Sequence, residues 1–287
     1  MTRDDTDAAP LHSAPDGTAD RAAERAAGVV AAPQGRRRCI FTSAGDRNNV
    51  AAWLGAPGRS WDLLTSYYGA DPAVARALTG ISEMFLARAG AKFQNLLAFH
   101  RANPGVLARY DHVWVMDDDL VLDPADLDRM FDIAEYWDLW VCQPAFDTRG
   151  KISHPLTGPE GRGDLLRITS FVEVTCPLFR TDKLIHFLDE HYDGSLVGFG
   201  IDHWFGHALG ALHHPKFAIV DPVRVLNPLD SAKDGVREIN RLQKPKQRRA
   251  AWDALRAARG IRQARLQTLA RVNCPFCLHG PARKPAA

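Results

Sequence analysis

His112-Val113-Trp114-Val115-Met116 is almost continuously apolar, and Asp117, Asp118 and Asp119 follow without a break. A strand whose two alternating faces are both apolar needs cover on both sides. That pattern predicts a central strand of a parallel sheet with helices above and below it. The neighbouring text agrees. Arg38 to Thr42 is a short apolar run ending in Ser43-Ala44-Gly45-Asp46, with Asp46 as the cap of a helix from Arg47 to Leu54. Trp61 to Tyr68 reads as a second strand, stopped by Gly69. Helical text runs from Pro72 to about His100, broken near Gly80 and Gly90, and Asp123-Pro124 opens a further helix to about Tyr136. Leu139 to Cys142 is a fourth strand. Strands alternating with helices in this way predict a doubly wound, Rossmann-like α/β fold with a mixed, mostly parallel sheet flanked by helices.

Beyond Gly150 the text changes. A Gly/Pro loop over 157–163 precedes Leu166 to Val174, which alternates like a half-exposed strand. Helices are expected at Thr181–His191 and Ile201–Leu209, a strand at Lys216–Asp221, and a long basic helical stretch over 237–271, interrupted at Pro245 and Gly260. The organisation expected is a disordered tail at 1–35, a main domain at 36–235, and a basic helical extension and tail at 236–287.

Composition bounds the function. Hydrophobic residues are 46% and charged residues 24%, an ordinary globular balance. Net charge is only +2, so nucleic acid is not an expected partner of the molecule as a whole. The opening residues carry acids and no apolar stretch, which does not read as a secretory signal, and no run approaches the ~20 apolar residues of a membrane span. Five cysteines, with Cys39, Cys142 and Cys176 in or beside apolar runs, read as buried reduced thiols of a cytoplasmic protein.

The chemistry is expected at the aspartates, because open α/β sheets bind ligands at the carboxyl ends of their strands. Asp117 and Asp119 lie two apart and face one side, while Asp118 faces the other. Two hard oxygen ligands with open positions suit Mg²⁺ or Mn²⁺ shared with substrate phosphates. Without a cation, three adjacent carboxylates repel one another. A solvated strand end or a helix entry is the plain alternative.

A longer series stands in order along the chain. It comprises Ser43-Ala44-Gly45-Asp46, Trp61-Asp62-Leu63-Leu64, Lys92-Phe93-Gln94-Asn95-Leu96, Asp111 to Asp119, Gln143-Pro144-Ala145, Ser153-His154, Phe171-Val172-Glu173-Val174 and Gly198-Phe199-Gly200-Ile201-Asp202. Over about residues 38 to 228 this series resembles the family called domain of unknown function 707, which in turn looks like glycosyltransferases of the A-type fold. The resemblance implies a nucleotide-sugar donor, Mn²⁺ or Mg²⁺ at an Asp-x-Asp motif, and transfer to a hydroxyl acceptor with inversion. It places Asp117 near the donor ribose and the metal, and makes Asp119 a direct metal ligand. A late His often completes such sites; here the position carries Asn227, a weaker neutral ligand, and His213 and His214 are the substitutes in view. Gly198 to Trp204 resembles the segment that presents a carboxylate to the acceptor hydroxyl. Asp202 is then the first candidate for the general base and Glu173 the second; the bland roles are a helix cap for Asp202 and a partner for Arg167 in the case of Glu173. The donor would meet Thr42, Ser43, Gly45, Asp46 and Arg47 at the first strand end, together with Asp117 and Asp118, with Lys92 facing its diphosphate.

Other readings remain open at this stage. A haloacid-dehalogenase-like phosphatase would use Asp117 as nucleophile and Asp119 as acid/base. A catalytically silent sugar-nucleotide or lipid-surface adaptor is a third reading. The basic helix, rich in arginine from Arg248 to Arg271, suggests peripheral membrane contact. Cys274-Pro275-Phe276-Cys277 is half of a zinc site, and His203 and His207 have a metal-compatible spacing of four.

Overall fold

The computed structural model describes residues 28–29, 37–55, 58–230 and 239–273. Most of the expected tail, and the Cys274/Cys277 pair, lie outside the described residues. Ten strands form one sheet: β1 (Gly28–Val29), β2 (Arg38–Ala44), β3 (Trp61–Tyr67), β4 (Met84–Ala87), β5 (His112–Asp117), β6 (Val141–Phe146), β7 (Leu166–Thr169), β8 (Leu178–Arg180), β9 (Phe217–Val225) and β10 (Thr268–Val272). Their order is β1-β4-β3-β2-β5-β8-β6-β9-β7-β10. The run β4-β3-β2-β5 is parallel, as is β6-β9; β8 is antiparallel to both its neighbours, and β1, β7 and β10 are antiparallel too.

The apolar alternation explains the layers. Cys39, Phe41, Val113 and Val115 point to one face, where they pack with Phe93 and Leu96 of α2 (Lys92–Ala102), Leu184 and Phe187 of α4 (Thr181–Glu190), and Trp204 and Phe205 of α5 (Ile201–Ala208). Ile40, Trp114 and Met116 point to the other, against Leu78 of α1 (Pro72–Ile81) and Leu127, Met130 and Phe131 of α3 (Pro124–Tyr136). The chain leaves β2 for β3 and β4 on one side, then returns to place β5 on the other. The carboxyl ends of β2 and β5 therefore form a topological switch point, where the diverging connections leave a crevice.

Several expectations need correction. Asp46 caps no helix: the turn after β2 is a short 3₁₀ stretch, Val50–Leu54, and the Asp46 carboxylate goes elsewhere. The helical text of 72–100 contains β4, a four-residue strand whose apolar run is too short to stand out between two helices. The fourth strand starts later, at Val141, and the expected strand at Leu166 to Val174 stops at Thr169 with all four residues buried, leaving β8 unforeseen. The basic stretch breaks near Pro245 and Gly260 as expected, but its last part is a strand and not a helix. It comprises α6 (Ile239–Leu242), α7 (Pro245–Ala258) and the edge strand β10. Trp252 and Ile261 lie in the same core as β2 and β5, so this segment packs into the main body. Gly200 shows why: its φ is +94°, and a Cβ there would lie 2.4 Å from the Trp252 ring.

Four of the seven arginines from Arg248 to Arg271 make hydrogen bonds or ion pairs within the chain. Arg248 bonds Asn240 and two backbone carbonyls, Arg256 pairs with Asp253, Arg259 with Asp193, and Arg271 with Glu160 and Asp164. Among the described residues no helix is long and apolar enough to cross a membrane. Cys39, Cys142 and Cys176 are buried free thiols.

Candidate functional site

Strand β5 ends at Asp117, and Asp118 and Asp119 form the turn beyond it. The expected alternation holds in exposure: Asp118 is buried, while Asp117 and Asp119 are partly open. Asp118 Oδ2 accepts the Gly45 backbone N–H at 2.8 Å, which closes the crevice floor between β2 and β5. Burial first, and then the charges of Asp119 and Asp117, push the Asp118 carboxyl up to about 8. Asn49 clasps the same turn. Its backbone N–H donates to the Asp118 carbonyl at 2.7 Å and its side-chain amide to the Asp119 carbonyl at 2.6 Å.

Asp117 stands opposite Ser43 in the β2–β5 register. Its carboxylate, 46% exposed, meets the Lys92 ammonium at 2.7 Å. Lys92 also donates to the carbonyls of Val174 and Thr175, both at 2.8 Å. An ammonium has three N–H groups, and these three short contacts use them all. The side chain thereby ties the β5 tip to the segment carrying Glu173. Thr42 is corrected, since its hydroxyl donates to the Met116 carbonyl at 3.0 Å in the interior and is fully buried. Asp46 takes Tyr67 Oη–H and the backbone N–H groups of Ala70 and Asp71, and the Tyr67 bond leads the causes that hold its carboxyl below the usual range. It clamps the β3–α1 loop through these contacts while remaining exposed to solvent. Ser43 accepts from Asn95 Nδ2 at 3.0 Å, and Arg47 lies exposed at the crevice mouth.

An isolated bridge between Val121 and Leu226 joins the chain after the aspartates to the end of β9. It brings Asn227 to the same sheet edge, buried, with its carbonyl accepting the Lys151 N–H at 2.7 Å. His213 and His214 are at the opposite edge: His214 packs on Trp140, just before β6, with ring centroids 4.6 Å apart. They are excluded as ligands of the β5 tip. No group of three His, Cys, Asp or Glu side chains among the described residues is arranged to hold a metal. The donor set at the tip is two partly open carboxylates. That fits Mg²⁺ or Mn²⁺, which keep most of their coordination for water and phosphate oxygens.

A second acidic cluster lies beside the first. Residues 170–177 lead into β8 next to the carboxyl end of β5, where the Asp117 N–H donates to the Thr175 carbonyl at 3.0 Å. Glu173 is 3% exposed. Its Oε1 accepts from Thr157 Oγ1 at 2.6 Å, and its backbone N–H donates to Gln143 Oε1 at 2.6 Å. Arg167 does not pair with it, and binds Asp221 and Glu160 instead. Burial, with the Asp202 charge adding, pushes the Glu173 carboxyl up to about 7. Asp202 sits in the first turn of α5, behind Gly200, and is 8% exposed. It accepts the His203 N–H at 2.9 Å, and the Val174 N–H also turns toward it. The N-cap is Gly200, so Asp202 is not the helix cap. Burial raises its carboxyl to about 6, partly offset by those two N–H groups and by His154.

Aromatic and imidazole rings pack around this buried acidic pair. His154 packs on Phe171, Phe171 on His203, and His203 on Trp252, with centroids 4.8, 5.1 and 5.9 Å apart. Burial lowers His203 to about 4, so it stays neutral, and Gln263 meets its Nε2 at 3.2 Å. These contacts make His203 a packing residue, whatever its spacing from His207. Sequence reading gave no role to Gln143, His154 or Thr157. The resemblance motifs pointed at Gln143 and His154, and nothing marked Thr157.

No protein-family model and no curated protein matches the chain by sequence. Solved structures similar to it include S. aureus TarS, at 10% identity over 67% of this chain and 37% of that one, with a TM-score of 0.48. A shorter form of TarS in complex with UDP-GlcNAc aligns at 10% identity over 67% of this chain and 58% of that one, TM-score 0.48. The same form in complex with UDP gives 8%, 66%, 60% and 0.47. The chain thus spans less than two thirds of these proteins' length. Likeness this distant carries no argument about the chemistry of this chain, and the resemblance to domain of unknown function 707 gains nothing from family models.

Proposed function

We propose that this chain transfers a sugar from a nucleotide-diphosphate sugar to a hydroxyl acceptor, with inversion and with a divalent cation. The observation that supports it most is the pairing of two unlike acidic sites at one sheet edge, tied together by Lys92. The half-open tip offers Asp117 and Asp119 to a cation shared with a pyrophosphate, with Asn227 nearby. A bound Mn²⁺ or Mg²⁺ supplies charge that stabilises the departing nucleoside diphosphate. Gly45, Ser43 and Arg47 line the crevice in which the nucleoside lies.

The buried pocket supplies the base. A sugar hydroxyl is too weak an acid to attack unaided, and a positioned carboxylate contributes roughly 10²–10⁴-fold. Asp202, with its carboxyl near 6, is ionised at neutral pH yet basic enough to accept a proton. It takes the acceptor's proton as that oxygen bonds the anomeric carbon and the bond to the diphosphate oxygen breaks. One displacement inverts the centre. Glu173 and Thr157 orient the acceptor beside it.

The test incubates the protein with Mn²⁺ and a panel of nucleotide sugars, and separately with phosphate monoesters. Metal-dependent release of nucleoside diphosphate supports the reading. Phosphate release from monoesters alone indicates the phosphatase, and nucleotide binding with no turnover indicates the adaptor.

A further inference from the structure

A cavity of about 250 Å³ opens where β9 bulges, lined by Asp221, Pro222 and Arg224 on one side and by the 160–164 loop on the other. It lies at the same carboxyl edge of the sheet, beyond the Glu173 pocket. Three of its lining residues are acids, which at first suggests a cation. The ion pairs say otherwise. Asp221 gives both oxygens to Arg167, at 2.6 and 2.9 Å; Glu160 pairs with Arg167 and Arg271, and Asp164 with Arg271. Each carboxylate is already met by a guanidinium outside the cavity lining. Arg162 and Arg224 remain. Arg224 has one guanidinium nitrogen, Nη1, buried without a hydrogen-bond partner among the described residues, a costly state for a charged group. Asp147, which feels the Arg224 charge, has its own oxygens bonded to Arg149. Arg162 is carried between Gly161 and Gly163, whose φ values of +68° and +71° form a tight left-handed turn that sets it on the cavity rim.

We infer that this cavity is an oxyanion site, in which Arg224 and Arg162 hold a phosphate or carboxylate group. Guanidinium forks suit such groups because they bond two oxygens at once. The volume admits one anionic head group with a small body, and falls short of the ~300–1,000 Å³ that larger ligands fill. The site is independent of the proposed transfer reaction. It nonetheless communicates with that pocket: Arg167, which holds Asp221 on the cavity wall, also bonds the carbonyls of Leu156 and Gly158, and these flank Thr157, the partner of Glu173.

Titration calorimetry of the whole chain with inorganic phosphate, and in parallel with glucuronate, tests the inference. One saturable site is expected, weakened about tenfold or more in both Arg224→Gln and Arg162→Gln and unchanged in Asp117→Asn. Tighter phosphate binding assigns the group as a phosphoryl, tighter glucuronate binding as a carboxylate. Arg162 lies on a surface loop, so that variant decides the matter if Arg224→Gln does not fold. No saturable binding of either anion, or binding lost in Asp117→Asn and kept in Arg162→Gln, overturns it.

Discussion

The two acidic sites at the sheet edge are both built of carboxylates and set in opposite surroundings. At the β5 tip, Asp117 is 46% exposed and its carboxylate meets the Lys92 ammonium. In the pocket, Glu173 and Asp202 are almost wholly buried and their carboxyls rise toward neutrality. Exposure and a neighbouring ammonium leave Asp117 where a cation can reach it. Burial makes a carboxylate reluctant to be charged, which suits moving a proton. A carboxylate's job is set by its surroundings, and Lys92 is where the two surroundings meet.

Four variants would break or sharpen that contrast. Asp202→Asn should cost the largest factor, about 10²–10⁴ in turnover, while nucleotide affinity in calorimetry stays the same. A variant that turns over normally would remove the pocket from the chemistry. Asp119→Ala should act on the other side, weakening Mn²⁺-dependent nucleotide binding by roughly tenfold or more with little change when metal is omitted. Lys92→Met removes three charged hydrogen bonds and should lower unfolding free energy in urea by about 2 kcal/mol. A double-mutant cycle of Lys92→Met with Glu173→Gln should show coupling of at least ~0.5 kcal/mol, because Lys92 holds the carbonyls just after Glu173.

The smallest effect is a pH dependence. Glu173 is held above its unfolded value, so the native state keeps that proton longer. The stability this contributes is full below about pH 4.5 and is lost as pH rises through about 7. Glu173→Gln, which stays neutral, should therefore gain melting temperature relative to the parent between pH 5 and pH 8, by an amount on the order of a few degrees. Equal curves for the two proteins would mean that the carboxyl titrates as if in water.

How much of this could be read from the chain alone follows from the range of the forces involved. The β2, β3 and β5 strands were legible because both faces of a buried parallel strand must be apolar, a constraint written into consecutive residues. The β5 tip was legible for the same reason, since its position follows from the strand that carries it. β8 was not, because three residues inserted antiparallel between β5 and β6 leave no periodicity of their own. Thr157 and Gln143 owe their roles to contacts spanning 16 and 30 residues in sequence, which no local pattern encodes. Lys92 and Asp46 were found in the right region, and the fold adds partners that the sequence did not announce. Residue type announces a charge, and only the fold shows which neighbour claims it.

Trp252 packs beneath Gly200 and stacks on His203, although it arrives some fifty positions after them in the sequence. While the chain is being made, the sheet from β1 to β9 is complete before this indole emerges, and the acid pocket still lacks one wall. The surroundings of Asp202 are therefore among the last parts of the molecule that the nascent polypeptide completes.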